Sequence, residues 1–167
     1  TGVQTCALPI SLIYEIEQTS NIQQHAMPWR MEDGSRLSQK EWEKNIDALL
    51  QELRPELRCA PQRGLALEAK GLTRLFCCAG PYFALERWRF SEPQRFSFDS
   101  ARILSNLGDP LTVEANGVSV ALGRAESVLL PAALSEVTLR DAGELLIGYV
   151  PDLAREVVAP LRQAGYS

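Results

Sequence analysis

The sequence predicts a mainly β protein, a sandwich or barrel of many short strands, with one helix before the strands and a shorter one after them. Three observations carry this. Between Leu65 and Val150, short apolar runs are divided by turn residues at close intervals, the texture of packed antiparallel strands and not of alternating βα units. Asn116-Gly117 stands between two such runs, the strongest short hairpin signal. Upstream, Ser38-Gln39-Lys40-Glu41 has the form of a capping box, in which the hydroxyl and the carboxylate each satisfy a free backbone N–H at a helix start.

Composition sets the outer limits. The chain has 167 residues, of which 46% are hydrophobic and 23% charged, with a formal net charge of −4. The hydrophobic share is too large for a disordered chain. No run of about 18 apolar residues marks a membrane span, and an acidic balance lacks the electrostatic footprint of a nucleic-acid binder. Neither a nucleic-acid nor a membrane partner is therefore expected.

Taken in order, the first element is anomalous. Residues 1–10 read TGVQTCALPI, with no initiating Met, no basic segment and no apolar run of signal-peptide length. The decapeptide is also the translation of ACT GGA GTT CAG ACG TGT GCT CTT CCG ATC, the end of a common short-read sequencing adapter. It is treated as an artefact and set aside, so the authentic chain is expected to begin near Ser11 and to lack its upstream part. Cys6 goes with it. Cys59, Cys77 and Cys78 have no C-x-x-C spacing, which gives neither a zinc knuckle nor a disulfide framework. They are expected to be core or half-core thiols in a reducing cytoplasm.

Residues 11–22 begin as a strand, with Leu12, Ile13, Tyr14 and Ile16 apolar and Glu15 and Glu17 interleaved. Residues 21–36 are polar, carry Pro28 and Gly34, and read as a loop. The capped helix comes next, with Trp42, Ile46, Leu49, Leu50 and Leu53 on one face and Pro55 ending it. Strands are expected at 65–69, 73–78, 82–90, 95–99, 101–107, 111–115, 118–122, 127–130, 136–140 and 144–150. Leu153, Val157, Val158 and Leu161 place a helix in residues 151–164, limited by Pro160 and Gly165.

Strong catalytic motifs are absent: there is no Gly-rich phosphate loop, H-E-x-x-H, G-x-S-x-G or EF-hand pattern. His25 is the single histidine and cannot build a multi-histidine metal site alone. Over residues 82–90, Arg87 and Arg89 alternate with aromatics, which on an acidic chain reads as a solvated strand face.

One segment is more specific. Tyr14-Glu15-Ile16-Glu17-Gln18-Thr19-Ser20-Asn21 resembles the "YEIQQTSD" segment of the class I mannose-6-phosphate isomerases, metal-dependent cupins that interconvert mannose 6-phosphate and fructose 6-phosphate. The downstream half of the chain is similar in order: a helical connector, then a second barrel with a turn like Gly123-Arg124-Ala125-Glu126-Ser127-Val128-Leu129-Leu130-Pro131-Ala132 and a terminal strand. The resemblance implies a cupin, or jelly-roll, β-barrel with a helical connector and a short C-terminal helix. It divides the chain into residues 1–10 (artefact), 11–36 (remnant of an upstream catalytic cupin domain), 37–64 (connector), 65–150 (C-terminal barrel) and 151–167 (tail).

For an intact parent the resemblance implies zinc polarising the sugar oxygens while a base moves a proton between C1 and C2 through an enediol. Glu15 and His25 are the implied catalytic positions, Asn21 and Arg30 the implied substrate-binding ones. Two of these depart from the family. Asn21 stands where an acid is usual, and His25 where an arginine is usual, which a neutral imidazole does not reproduce; Arg30 or Arg36 are the candidates to replace it. The family's last metal histidine would fall about nine or ten positions before Glu15, inside the excluded segment. This chain is thus expected to hold no metal ligands and no cofactor, and to be inactive as an isomerase, with sugar phosphate the substrate of the parent. The second barrel has neither the glycine nor the histidine of a P-x-G-x-x-H turn at Pro131-Ala132-Ala133-Leu134-Ser135-Glu136, and is expected to be structural or interfacial. The alternative expectation is a non-catalytic cupin that binds or senses a sugar.

Overall fold

The computed structural model describes Tyr14, residues 33–57, Ala60 and residues 62–167. The chain divides into two compact units, Thr19–Pro61 and the remainder. Each is taken by itself.

In the smaller unit, helix α1 spans Gln39–Glu52. The expected capping box forms: Ser38 Oγ accepts from the Glu41 N–H at 3.3 Å and Glu41 Oε2 accepts from the Ser38 N–H at 3.0 Å. Leu53 leaves the helix in extended backbone, two residues before Pro55, which bars continuation. Along the expected apolar face Trp42, Ile46 and Leu49 are half-buried, whereas Leu50 and Leu53 are exposed.

The larger unit is a two-layer antiparallel β structure. Strands β1 (Leu65–Ala69), β2 (Leu72–Ala79), β3 (Ala84–Phe90), β10 (Gly143–Tyr149), β5 (Arg102–Asn106) and β8 (Ser127–Leu130) lie side by side in that order. The second sheet runs β4 (Gln94–Ser97), β9 (Glu136–Arg140), β6 (Leu111–Ala115) and β7 (Val118–Leu122). All ten expected strands form, five of them with the expected bounds. Because side chains alternate along a strand, each contributes every second residue to the space between the sheets. Trp88, Phe90, Leu104, Leu145 and Ile147 enter it from the first sheet and Leu111, Val113, Val137 and Leu139 from the second.

Local chemistry fixes the turns. Asn116 and Gly117 both have positive φ, 49° and 77°, as the turn that best matches strand twist requires. Asn106, fully buried, acts as a staple at one end of the barrel. Its Nδ2 donates to the Asp109 and Leu122 carbonyls at 2.9 Å and its Oδ1 accepts from the Gly108 N–H at 2.9 Å. In the Gly123–Glu126 turn, the Glu126 carboxylate accepts from the Gly123 N–H at 2.6 Å.

Two expectations need correction. Cys77 and Cys78 are exposed thiols rather than core or half-core residues. A β-bulge between Phe76 and Cys78 shifts the register of β2 against β3, and such an extra residue breaks the in–out alternation. Pro160 does not limit the C-terminal helix. Leu153–Val158 is wound as a π-helical turn that hands over at Ala159–Gln163, here α2, with Pro160 in its first turn, where a missing N–H is tolerated. Gly165, at φ 92°, ends the segment as expected. The Tyr166 N–H donates to Leu161 O and the Gly165 N–H to Arg162 O, both at 3.0 Å, which is a Schellman closure. Arg87 and Arg89 lie on a solvated strand face as expected, with 37% and 61% of their side chains exposed, and both pair with Glu144 of the neighbouring strand, Arg89 Nε at 3.3 Å.

Candidate functional site

The end of the barrel beneath the C-terminal segment holds charged side chains on core-facing positions. Leu72, Arg74 and Phe76 share one face of β2, and Ala84, Glu86, Trp88 and Phe90 one face of β3. The alternation that sends the apolar members inward sends Arg74 and Glu86 with them. Glu86 is 1% exposed. A carboxylate so far from water is tolerated only when paired and hydrogen-bonded, and its partners are complete. Arg74 meets it with two parallel bonds, Nε to Oε2 at 2.9 Å and Nη2 to Oε1 at 3.0 Å. Trp88 Nε1 donates to Oε2 at 2.7 Å, and the Tyr149 hydroxyl donates to Oε1. The Arg74 guanidinium also lies 5.1 Å from the centre of the Trp88 ring and 5.2 Å from that of Phe76, within cation–π range.

These contacts set the protonation states. Burial, followed by the Glu86 charge and hydrogen bond, holds the Tyr149 hydroxyl well above the ordinary phenol range, so it remains a donor. Burial is the largest single influence on Arg74 and pushes it down, but the hydrogen bond and charge of Glu86 more than offset it and its pKa is raised.

A second cation, Arg102 on β5, lies across the same mouth. Its guanidinium sits 3.9 Å from the centre of the Tyr149 ring. It donates to Ser100 Oγ and to Glu156 of the C-terminal segment. Val157 and Leu161 anchor that segment by packing on Phe76, with Leu67 and Leu153 beside them, and Arg155 pairs with Asp99 at the rim. Between the sheets and the segment lies a cavity of about 360 Å³, lined in part by Arg74, Glu86, Trp88, Arg102, Tyr149 and Glu156.

The residues expected from the sequence to carry function, Glu15, Asn21, His25 and Arg30, lie outside the described residues, as does most of the expected strand at 11–22. Its one described member, Tyr14, bonds through its hydroxyl to Ser105 Oγ at 3.1 Å, and Ser105 Oγ to Ser127 Oγ at 2.7 Å. Arg36 is exposed. The sequence reading missed the mouth cluster. Its available signal was an acid and a base at inward positions of otherwise apolar strand faces, where such residues are rare unless paired.

The zinc implied for an isomerase of the resembling family does not fit this mouth. Among the described residues no three histidine, cysteine, aspartate or glutamate side chains stand close enough to share an ion. The mouth's carboxylates face guanidinium groups, which occupy the oxygens a cation would need.

Comparison with known proteins bears on the fold. No protein-family model matches the chain, and no curated protein matches its sequence. Among solved structures, the mannose 6-phosphate isomerase of Bacillus subtilis is similar at a TM-score of 0.55 and 17% identity, over 72% of this chain and 37% of that one. An RmlC-like cupin from Shewanella frigidimarina is similar at 0.50 and 15%, over 64% of this chain and 97% of that one. The larger unit therefore has a jelly-roll fold like that of the cupins. The chain spans 37% of the length of the Bacillus subtilis isomerase. No described helix is long and apolar enough to cross a membrane.

Proposed function

We propose that this chain is the C-terminal part of a cytoplasmic sugar-phosphate aldose–ketose isomerase of the mannose 6-phosphate type, and that its barrel is non-catalytic. The observation that carries this reading is the coincidence of two independent likenesses. The Tyr14–Asn21 segment resembles that family in sequence, and the jelly roll downstream of it is similar in fold to such an isomerase. The mouth supports the second half of the proposal: its charges are paired with one another, and its donor set does not fit the metal such an isomerase uses. In this reading zinc and the catalytic ligands belong to residues upstream of Ser11, while Glu15, Asn21, His25 and Arg30 edge the catalytic pocket.

A coupled mannose 6-phosphate isomerase assay tests it, run on this chain and on the complete genomic reading frame that encodes residues 11–167, each with and without chelator. Chelator-sensitive turnover by the complete frame and none by this chain is the expected result. Turnover with stoichiometric zinc in this chain overturns the non-catalytic barrel. An inactive complete frame overturns the isomerase.

The second reading, a cupin that binds or senses a sugar without converting it, is favoured by one specific observation, the cavity of about 360 Å³ at the mouth. It is large enough for a small ligand.

A further inference from the structure

The two arginines at the mouth are engaged in different ways. Arg74 is closed. Its fork meets both oxygens of Glu86, and every other donor to that carboxylate also comes from a barrel strand. Arg102 is held just as firmly by its surroundings, with its side chain 6% exposed and its guanidinium stacked on Tyr149. Its anionic partner, however, comes from outside the sheets. Glu156 reaches it from the C-terminal segment and touches it through one oxygen, Oε1. The other oxygen, Oε2, accepts from the Asp152 N–H at 2.7 Å. The second arm of the Arg102 fork, Nη1, goes to the hydroxyl of Ser100. A planar fork pairs most strongly with an oxyanion that offers it two oxygens at once, and Glu156 does not.

We propose that the mouth is a binding site for a small polar molecule bearing a phosphate or carboxylate group, and that this oxyanion takes the place on Arg102 that Glu156 holds in the structure. Glu156 is an internal stand-in for the ligand. The exchange conserves charge, since one anion replaces another beside a buried cation that would be costly to leave unpaired. It needs little motion. The Glu156 side chain is 18% exposed and can turn toward water while Val157 and Leu161 keep the segment anchored on Phe76. The cavity of about 360 Å³ lies directly against both groups, and Gln163 and Arg155 at its edge add further hydrogen-bond donors for the body of a ligand. This site stands whether or not the chain belongs to an isomerase.

The test compares the full chain with E156Q, which keeps an acceptor for the Asp152 N–H and removes the competing charge. Thermal unfolding and calorimetric titration are followed with inorganic phosphate, glucose 6-phosphate, gluconate and neutral glucose, all at matched ionic strength. A site blocked by its own carboxylate nine-tenths of the time binds about tenfold more weakly than an open one. Oxyanion probes should therefore bind E156Q at least about tenfold more tightly than the wild-type chain and raise its unfolding temperature more. Glucose should do neither. Stronger binding of glucose 6-phosphate identifies a phosphate site, stronger binding of gluconate a carboxylate site. Equal responses in the two chains, an equal response to glucose, or no response to any probe overturns the proposal. Should E156Q fold only in the presence of an oxyanion, its recovery with phosphate against chloride is the readout, and rescue by phosphate supports the site. Failure in both buffers moves the comparison to E156D, whose shorter side chain draws the carboxylate back from Arg102. The same tighter binding is expected there, and its absence overturns the proposal.

Discussion

Replacing Glu86 with leucine removes a carboxylate that is 1% exposed and leaves three donors facing the space it filled: the Arg74 fork, the Trp88 N–H and the Tyr149 hydroxyl. Breaking a buried ion pair from one side costs about 3–5 kcal/mol. Arg74 retains some access to water, with 28% of its side chain exposed, which moves the expected loss in E86L to the lower part of that range, about 3–4 kcal/mol. R74M should cost about 4–5 kcal/mol, because the charge it strands is the more deeply buried of the two. The double variant R74M/E86L removes both charges, so only the Trp88 and Tyr149 donors remain unsatisfied, at about 1–3 kcal/mol each. The double variant should therefore lose clearly less than the sum of the two single losses. Urea unfolding followed by circular dichroism at fixed pH measures all four chains, and the cycle isolates the pairwise term. A double loss equal to the sum of the single losses within about 0.5 kcal/mol would refute the reasoning. So would an E86L chain within about 1 kcal/mol of wild type, since a fully engaged buried pair cannot be removed from one side at so small a loss.

Two further predictions concern the same barrel. A β-carbon at Gly143 would lie 2.8 Å from Phe90 Cζ and 2.9 Å from Leu111 Cδ2, so G143A should overpack the core, lose about 1–3 kcal/mol and melt several degrees lower; an unchanged melting temperature would show that the two side chains yield freely. The Tyr149 hydroxyl titrates above its ordinary value in the folded chain, so its contribution to stability is whole below the unfolded phenol pKa of about 10 and is lost as pH rises beyond it. Unfolding midpoints should therefore fall on the alkaline side, and Y149F should flatten that fall; a Y149F profile parallel to wild type would contradict it.

The strands of the barrel were legible because their signals are local. Alternation along 65–69 or 136–140 and the turn residues at Asn116-Gly117 act within a few residues of chain, as does the capping box at Ser38 and Glu41. The exceptions were also local in origin but depended on a partner. The bulge after Phe76 exists only against β3, and it is what carries Cys77 and Cys78 outward. Pro160 was read as a stop because a π-helical lead-in leaves no signature in residue type.

The sequence by itself determined the class of the fold, the number of its strands and the bounds of half of them, and a resemblance to a sugar-phosphate isomerase in a segment of which only Tyr14 is described. Only the tertiary structure decided the mouth. Arg74, Glu86, Arg102, Tyr149 and Glu156 are scattered over more than half of the larger unit's chain, and they meet because β10 inserts between β3 and β5 and the C-terminal segment folds back over β2. The physical reason is that alternation assigns a residue to a face but says nothing of which strand lies beside it. An inward charge signals that a partner exists, and strand order chooses the partner.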